Sequence, residues 1–314
     1  MDIDYLLTLQ DFRNGIDNAL TPFMEWISLF AVTYLIMLPV FVYWVLDKRS
    51  GLYVLCSYYT AVAVNAIVKL SVCAYRPWIR DQRVLPAGDA ITTATGYSFP
   101  SGHTMTAGPI YGGLSVITWK KWKWLSAIFL LCLLITAFSR NYLGVHTPQD
   151  VLVGLLLSAL SLAGIAKVFV VIEKHPEWEK WFLLGGFVLG MAIIGFITWK
   201  PYPMDYVDGK LLVDPQKMMN DGYGDPAKLV AFCAARAVER KWIRFKPSGL
   251  KNPKGLAVCA LGMIGLWALI AFIGKPLDAA LGSHWGHFAS NFIIVFYCVA
   301  LVPLALKFTG SREN

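Results

Sequence analysis

Three short stretches put ionisable side chains where an apolar chain has little reason to keep them. In SRNYLGVHTPQD, residues 139–150, Arg140, His146 and Asp150 stand between the apolar runs ITAF and VLVGLLLSALSLAG. Thr147-Pro148-Gln149-Asp150 reads as a helix start, with Thr as N-cap, Pro at the first helical position and an acid in the first turn. That accounts for Thr147 and Asp150 and leaves Arg140 and His146 unexplained. Asp150, a turn inside the helix, is close enough to accept a hydrogen bond from the His146 ring. A carboxylate that fixes the tautomer leaves the other ring nitrogen free to attack. Arg140 supplies a planar fork suited to bidentate phosphate binding.

The second stretch is AVAVNAIVKLSVCAYRP, where Lys69 interrupts a segment otherwise fit for hydrocarbon. An ionisable group there costs roughly 2.5–3.5 kcal/mol unless it is paired or reaches the interface, and snorkelling to the interface is the competing explanation. Arg76-Pro77 follows, with proline ending the helix. Helical geometry puts Lys69 and Arg76 about two turns apart on one face, able to converge on one anion.

The third is GYSFPSGHTMTAGPIYGG, residues 96–113. Pro100-Ser101-Gly102-His103 falls where a loop turns into an apolar span, and the free backbone N–H groups of a helix N-terminus make an anion site. Gly102 lets the anion approach the backbone, Ser101 adds a hydroxyl, and His103 stands beside the bound group. Ser101 as a plain helix cap beside a bystander histidine is the simpler alternative.

The elements that must position these residues are membrane spans. The chain has 314 residues, 57% hydrophobic and only 15% charged, with mean hydropathy +0.54, which argues against a soluble domain. Apolar segments of spanning length lie near 26–46, 51–75, 101–118, 124–141, 148–172, 181–199, 255–273 and 286–307. The short apolar part of 226–243 carries Arg236, Glu239, Arg240 and Lys241. If it crosses, the basic cluster that follows joins Lys48-Arg49, Lys120-Lys121-Lys123 and Lys174/Lys180 on one face, as the positive-inside rule asks. The sequence therefore predicts nine spans, with eight as the alternative in which 226–243 lies in the interface.

The acidic N-terminal segment lacks a basic n-region and cleavage site and is expected to be an amphipathic helix on the outer face. The net charge of +8 is a topology signal and not a sign of nucleic-acid binding. The six cysteines lie at irregular spacing in apolar segments and imply neither a disulfide framework nor a zinc pattern. Two longer non-membrane segments, 76–100 and 200–225, fall opposite the basic loops. By span counting, all three polar stretches reach that same face.

Lys69 with six residues before Arg76-Pro77, then Pro100-Ser101-Gly102-His103, then Ser139-Arg140 with five residues before His146 and three before Asp150, resembles the tripartite signature of the type 2 phosphatidic acid phosphatases. The match is complete in type, order and spacing. It covers about residues 69–150, and the spans up to about 199 fit that family's six-helix core. The resemblance implies an all-α polytopic bundle: a core at 1–199, then an extension at 200–314 with an outer loop and about three spans. Nine spans also resemble the layout of the glucose-6-phosphatase and sphingosine-phosphate phosphatase branches.

The resemblance further implies metal-independent, cofactor-free phosphohydrolysis in two steps. His146 would be the nucleophile, oriented by Asp150, and His103 the acid and then the base. Lys69, Arg76, Ser101, Gly102 and Arg140 would hold the phosphoryl oxygens. The expected substrate is a lipid phosphate or prenyl pyrophosphate reached from the bilayer, with a sugar phosphate or transfer to another acceptor as alternatives within the class. An anion or lipid transporter is the alternative outside it, but a transporter has no need for two histidines at these spacings. The expected location is a bacterial inner membrane with the site on the outer face, or else the endoplasmic reticulum with a lumenal site. Oligomeric state is left open. Arg80 and Arg83 are candidates for widening an anionic funnel, His284 and His287 for interfacial anchoring, and 200–225 for a lid.

Overall fold

A computed structural model describes residues 2–94, 96–207 and 209–309; positions 1, 95, 208 and 310–314 lie outside the described residues. The chain is an all-α polytopic bundle. Its helices are α1 (Asp2–Gly15), α2 (Thr21–Thr33), α3 (Met37–Leu46), α4 (Lys48–Val72), α5 (Pro77–Arg80), α6 (Gly102–Thr118), α7 (Lys123–Tyr142), α8 (Pro148–Lys174) and α9 (Glu179–Trp199). The extension adds α10 (Pro215–Val238), α11 (Pro253–Phe272), α12 (Gly274–Leu281) and α13 (Ser283–Lys307). A two-residue hairpin, Tyr206–Val207 with Lys210–Leu211, precedes α10.

Six of these helices are long and apolar enough to cross a bilayer, seven if α2 and α3, bent by 45° at their junction, form one span. The nine segments expected from the sequence do not all reach that standard. Helix α6 has only 17 residues, and α10 carries Lys217, Asp221, Asp225, Lys228 and Arg236. Leu152, Leu156 and Leu160 on α8 and Leu184 and Val188 on α9 are exposed. These faces would be costly in water and suit lipid.

Helix α4 packs against α6, α8 and α10, and α6 also packs against α7 and α8. The close approach of α6 to α8 depends on Gly108, where a Cβ would come within 2.4 Å of Ser158 Oγ. That approach brings the N-termini of α6 and α8 side by side, with Ser101 N donating to Asp150 O at 3.0 Å.

The extension is not an appendage. Helix α10 packs on α4, α9 and α13, and the helix begins at Asp214-Pro215, well inside the segment read from the sequence as an outer loop. Gly222, Gly224 and Pro226 look like breakers in the sequence, but tertiary packing overrides them. At Gly222 a Cβ would meet Leu70 Cδ1 at 2.5 Å, so glycine is what lets α10 lie against α4. At the far end Glu239, fully buried, accepts from Lys48 Nζ at 2.6 Å and from Arg236, and Arg236 Nε also donates to Glu179 at 2.8 Å. This ion-pair network joins core and extension at the basic end of the bundle.

Helix α1 lies at the opposite end. Arg13 is buried and donates to the carbonyls of Tyr142 (3.1 Å) and Leu85 (2.7 Å). Arg80 pairs with Asp2 at 2.8 Å and Arg83 with Asp81 at 2.7 Å, so both arginines brace the surface.

Candidate active site

Lys69 and Arg76 do converge, but not along one helical face. Cys73, with φ 53°, ends α4 in the left-handed region, and Arg76 lies in extended backbone before α5. The chain has turned back over the bundle end by then. Lys69 Nζ donates to the carbonyls of Pro100 (2.8 Å), Tyr97 (3.1 Å) and Ser98 (3.4 Å), holding the loop that leads into α6. Arg76 donates from Nε to Gly96 O at 2.9 Å and from Nη1 to Val145 O at 2.9 Å. The same Nη1 lies 2.8 Å from His146 Nε2.

The start of α8 is built as its sequence suggests. Thr147 Oγ1 accepts from Asp150 N at 3.4 Å and Asp150 Oδ2 accepts from Thr147 N at 2.8 Å, a reciprocal capping box. That same Oδ2 lies 3.3 Å from His146 Nδ1 and accepts from Ser98 Oγ at 2.5 Å. One carboxylate oxygen thus caps the helix and orients the imidazole. Asn141 Nδ2 holds the His146 carbonyl at 2.9 Å. Burial, with Arg76, Arg140 and Lys69 nearby, pushes the His146 imidazole well below the ordinary histidine range. Both effects favour the neutral ring.

Lys69, Arg76, Gly102, His103 and His146 line one cavity of about 420 Å³, within the usual size of a ligand pocket. Ser101, Asp150 and Arg140 do not line it. Ser101 caps α6, its Oγ 3.4 Å from Thr104 N. Arg140 is 1% exposed, and its Nη1 donates to Ser28 Oγ while Nε and Nη2 lack a hydrogen-bond partner. His103 Nε2 is likewise buried without a partner. Buried donors left unpaired are costly, and a guanidinium more so. A Cβ on Gly102 would meet only Asn65 Nδ2, at 3.8 Å, so packing does not require glycine there and its backbone stays open to the cavity.

Larger hollows of about 660 and 550 Å³ lie toward the basic end, and neither is lined by a histidine. Among the described residues no group of three or more His, Cys, Asp or Glu side chains is placed to hold a metal ion.

A family model described as the PAP2 superfamily matches residues 50–173, a segment that contains every residue of the cluster just described. Residues 50–173 are thus similar to the PAP2 superfamily. A curated relative, an undecaprenyl-diphosphatase of Sulfolobus acidocaldarius, is 30% identical over 113 residues, 36% of this chain and 52% of the relative. The chain thus spans about half the length of the curated relative it matches. No solved structure matches significantly. The PAP2 segment stops at the end of α8, so α9 to α13 lie beyond it.

Several residues at the cavity or beside it are not singled out in the sequence. Ser98 was passed over inside GYSFPSGH, although it donates to Asp150. Asn65 lines the cavity one turn before Lys69 on α4, and Asp221, Asp225 and Lys228 reach it from α10. Arg80, Arg83 and His284 do not line it. His284 Nε2 lies 2.8 Å from Gln216 O, and His287 Nδ1 lies 3.2 Å from Asp278 Oδ1, so both hold protein partners.

Proposed function

We propose that this chain is an integral membrane phosphatase that hydrolyses a phosphorylated lipid through a phosphohistidine at His146. The observation that carries the reading is His146, held between Asp150 and Arg76, on the wall of a cavity shared with His103 and Lys69.

In the first step His146 Nε2 forms a P–N bond as the bond from phosphorus to the ester oxygen breaks. His103 gives that oxygen its proton. In the second step water attacks phosphorus, its proton passes to His103, and the P–N bond breaks to release phosphate. Both imidazoles return to their starting states. Asp150 stabilises the charge on the His146 ring while the P–N bond exists. Lys69, Arg76 and the Gly102 N–H hold the equatorial oxygens, and Arg140, with Ser101 at the helix start, adds positive field from behind the wall. These cations can carry the phosphoryl charge, so the reaction is metal-independent.

A lipid substrate fits a site at the ends of apolar helices, and the relative's name, undecaprenyl-diphosphatase, points to the same class. By the positive-inside rule the site faces away from the cytosol. The test is phosphate release from lipid phosphates by purified protein in detergent and EDTA. Wild type should turn over and vanadate should inhibit, while His146→Ala should lose at least about 10³-fold. Undiminished turnover by His146→Ala would overturn the mechanism.

A further inference from the structure

The cavity is also lined by polar residues that the phosphate chemistry does not use. Asp221, Asp225 and Lys228 stand at i, i+4 and i+7 on α10 and all line the cavity that holds His103 and His146. They lie outside the PAP2 segment. Lys228 Nζ pairs with Asp225 Oδ1 at 2.7 Å. Asp221 is an exposed residue that lines the cavity. On the facing helix Asn65, 5% exposed, lines the same space, and its Oδ1 is buried without a hydrogen-bond partner. An acceptor left unpaired at such depth points to a ligand that donates to it.

The charges are arranged unevenly. The cavity wall carries Lys69, Arg76 and Lys228 against Asp221 and Asp225. Arg76 stands beside His146 and Lys69 holds the Pro100 carbonyl, whereas Lys228 is committed to Asp225. A single phosphate beside His146 meets two cations. A second phosphate on the leaving group beside α10 would face two carboxylates with one cation already paired, and like charges repel. A hydroxyl group, both donor and acceptor, fits a wall of carboxylates, an amide oxygen and an ammonium. An ammonium ligand would sit against Lys228.

Resting on the phosphatase reading above, we propose that Asp221, Asp225 and Asn65 form a leaving-group subsite that accepts hydrogen bonds from hydroxyl groups. The subsite makes the chain select phosphate monoesters of polyhydroxylated alcohols over diphosphates. The C-terminal extension thereby sets specificity for chemistry carried by the PAP2 segment.

The experiment compares kcat/KM of the full chain in detergent for four substrates. They are a lipid bearing a glycerol phosphate headgroup, a free polyol phosphate, a prenyl monophosphate and a prenyl diphosphate. Wild type should prefer a hydroxylated monoester to the prenyl diphosphate by at least tenfold, and the lipid and free arms tell which source supplies the hydroxyls. Asp221→Asn removes charge and keeps an acceptor, so it should raise diphosphate turnover relative to the hydroxylated monoester several-fold. Asp221→Leu and Asn65→Leu should lower the hydroxylated substrate relative to prenyl monophosphate about tenfold.

Equal effects on all four substrates, or a wild-type preference for the diphosphate, would overturn the subsite while leaving the phosphatase intact. Vanadate protection against thermal unfolding reports the phosphate site, and a variant that loses it counts against the assignment. Failure of wild type to hydrolyse any of the four would instead reject the phosphatase reading.

Discussion

Arg76 Nη1 stands 2.8 Å from His146 Nε2, across the ring from Asp150 Oδ2, which lies 3.3 Å from Nδ1. A guanidinium can only donate, so Nε2 is the accepting nitrogen and the ring proton sits on Nδ1 toward Asp150. The pair fixes the tautomer from both sides. Arg76 also covers the Nε2 lone pair in this structure.

Replacing Arg76 with Lys keeps the charge and loses the fork. One ammonium cannot hold Gly96, Val145 and the phosphate together. Arg76→Lys is expected to lower kcat/KM about a hundredfold, with kcat falling as well as KM rising. A change confined to KM would show that Arg76 binds without positioning His146.

Asp150→Asn retains an oxygen to accept from Thr147 N, so the cap survives and stability should fall by no more than about 1 kcal/mol. The negative charge beside Nδ1 is gone, and kcat should drop roughly 10²–10⁴-fold. Steady-state kinetics with a thermal melt separate the two effects. A large loss of melting temperature with kcat preserved would make Asp150 a capping residue only.

The depressed His146 pKa sets the sign of the pH dependence. The folded value lies below the ordinary histidine value of about 6.5, so the ring stays neutral as pH falls past 6.5. The acid limb of kcat/KM should therefore have its midpoint below that value. The unfolded chain takes up a proton there that the folded chain refuses, so this group removes stability as pH falls through about 6.5. An acid limb governed by His146 at or above 6.5 would contradict the buried, cation-flanked ring.

Glu239 anchors the extension to the core through Lys48 and Arg236. Glu239→Ala leaves both cations without their buried carboxylate. Because each keeps some exposure, the cost should be about 2–3 kcal/mol, read as a lower melting temperature in detergent. A melt within experimental error of wild type would show that α10 docks by apolar packing alone.

The sequence made the residues clustered around His146 legible because they break a rule. Lys69, Arg76 and Arg140 are charges in or beside apolar spans, and His146 to Asp150 carry a helix-start pattern with one residue too many. The convergence of Lys69 and Arg76 was read along a helix, whereas Cys73 ends α4 first and the loop brings Arg76 back. Helix α10 was harder. Gly222, Gly224 and Pro226 read as breakers, and only the surfaces of Leu70, Ile197 and Asn291 explain the glycines. Asp221 and Asp225 looked like acids of an outer loop because nothing local says which cavity a helix will face. Asn65 carried a fainter signal, a polar residue one turn before Lys69 in a span.

The central claim is a covalent intermediate on His146, and its most direct test is rapid acid-free quench of the full chain turning over a ³²P-labelled lipid phosphate. Acid-labile, base-stable label is expected on the peptide containing residues 143–150 and is expected to be absent in His146→Ala. Turnover by wild type with no trapped label, or label that persists in His146→Ala, would contradict it.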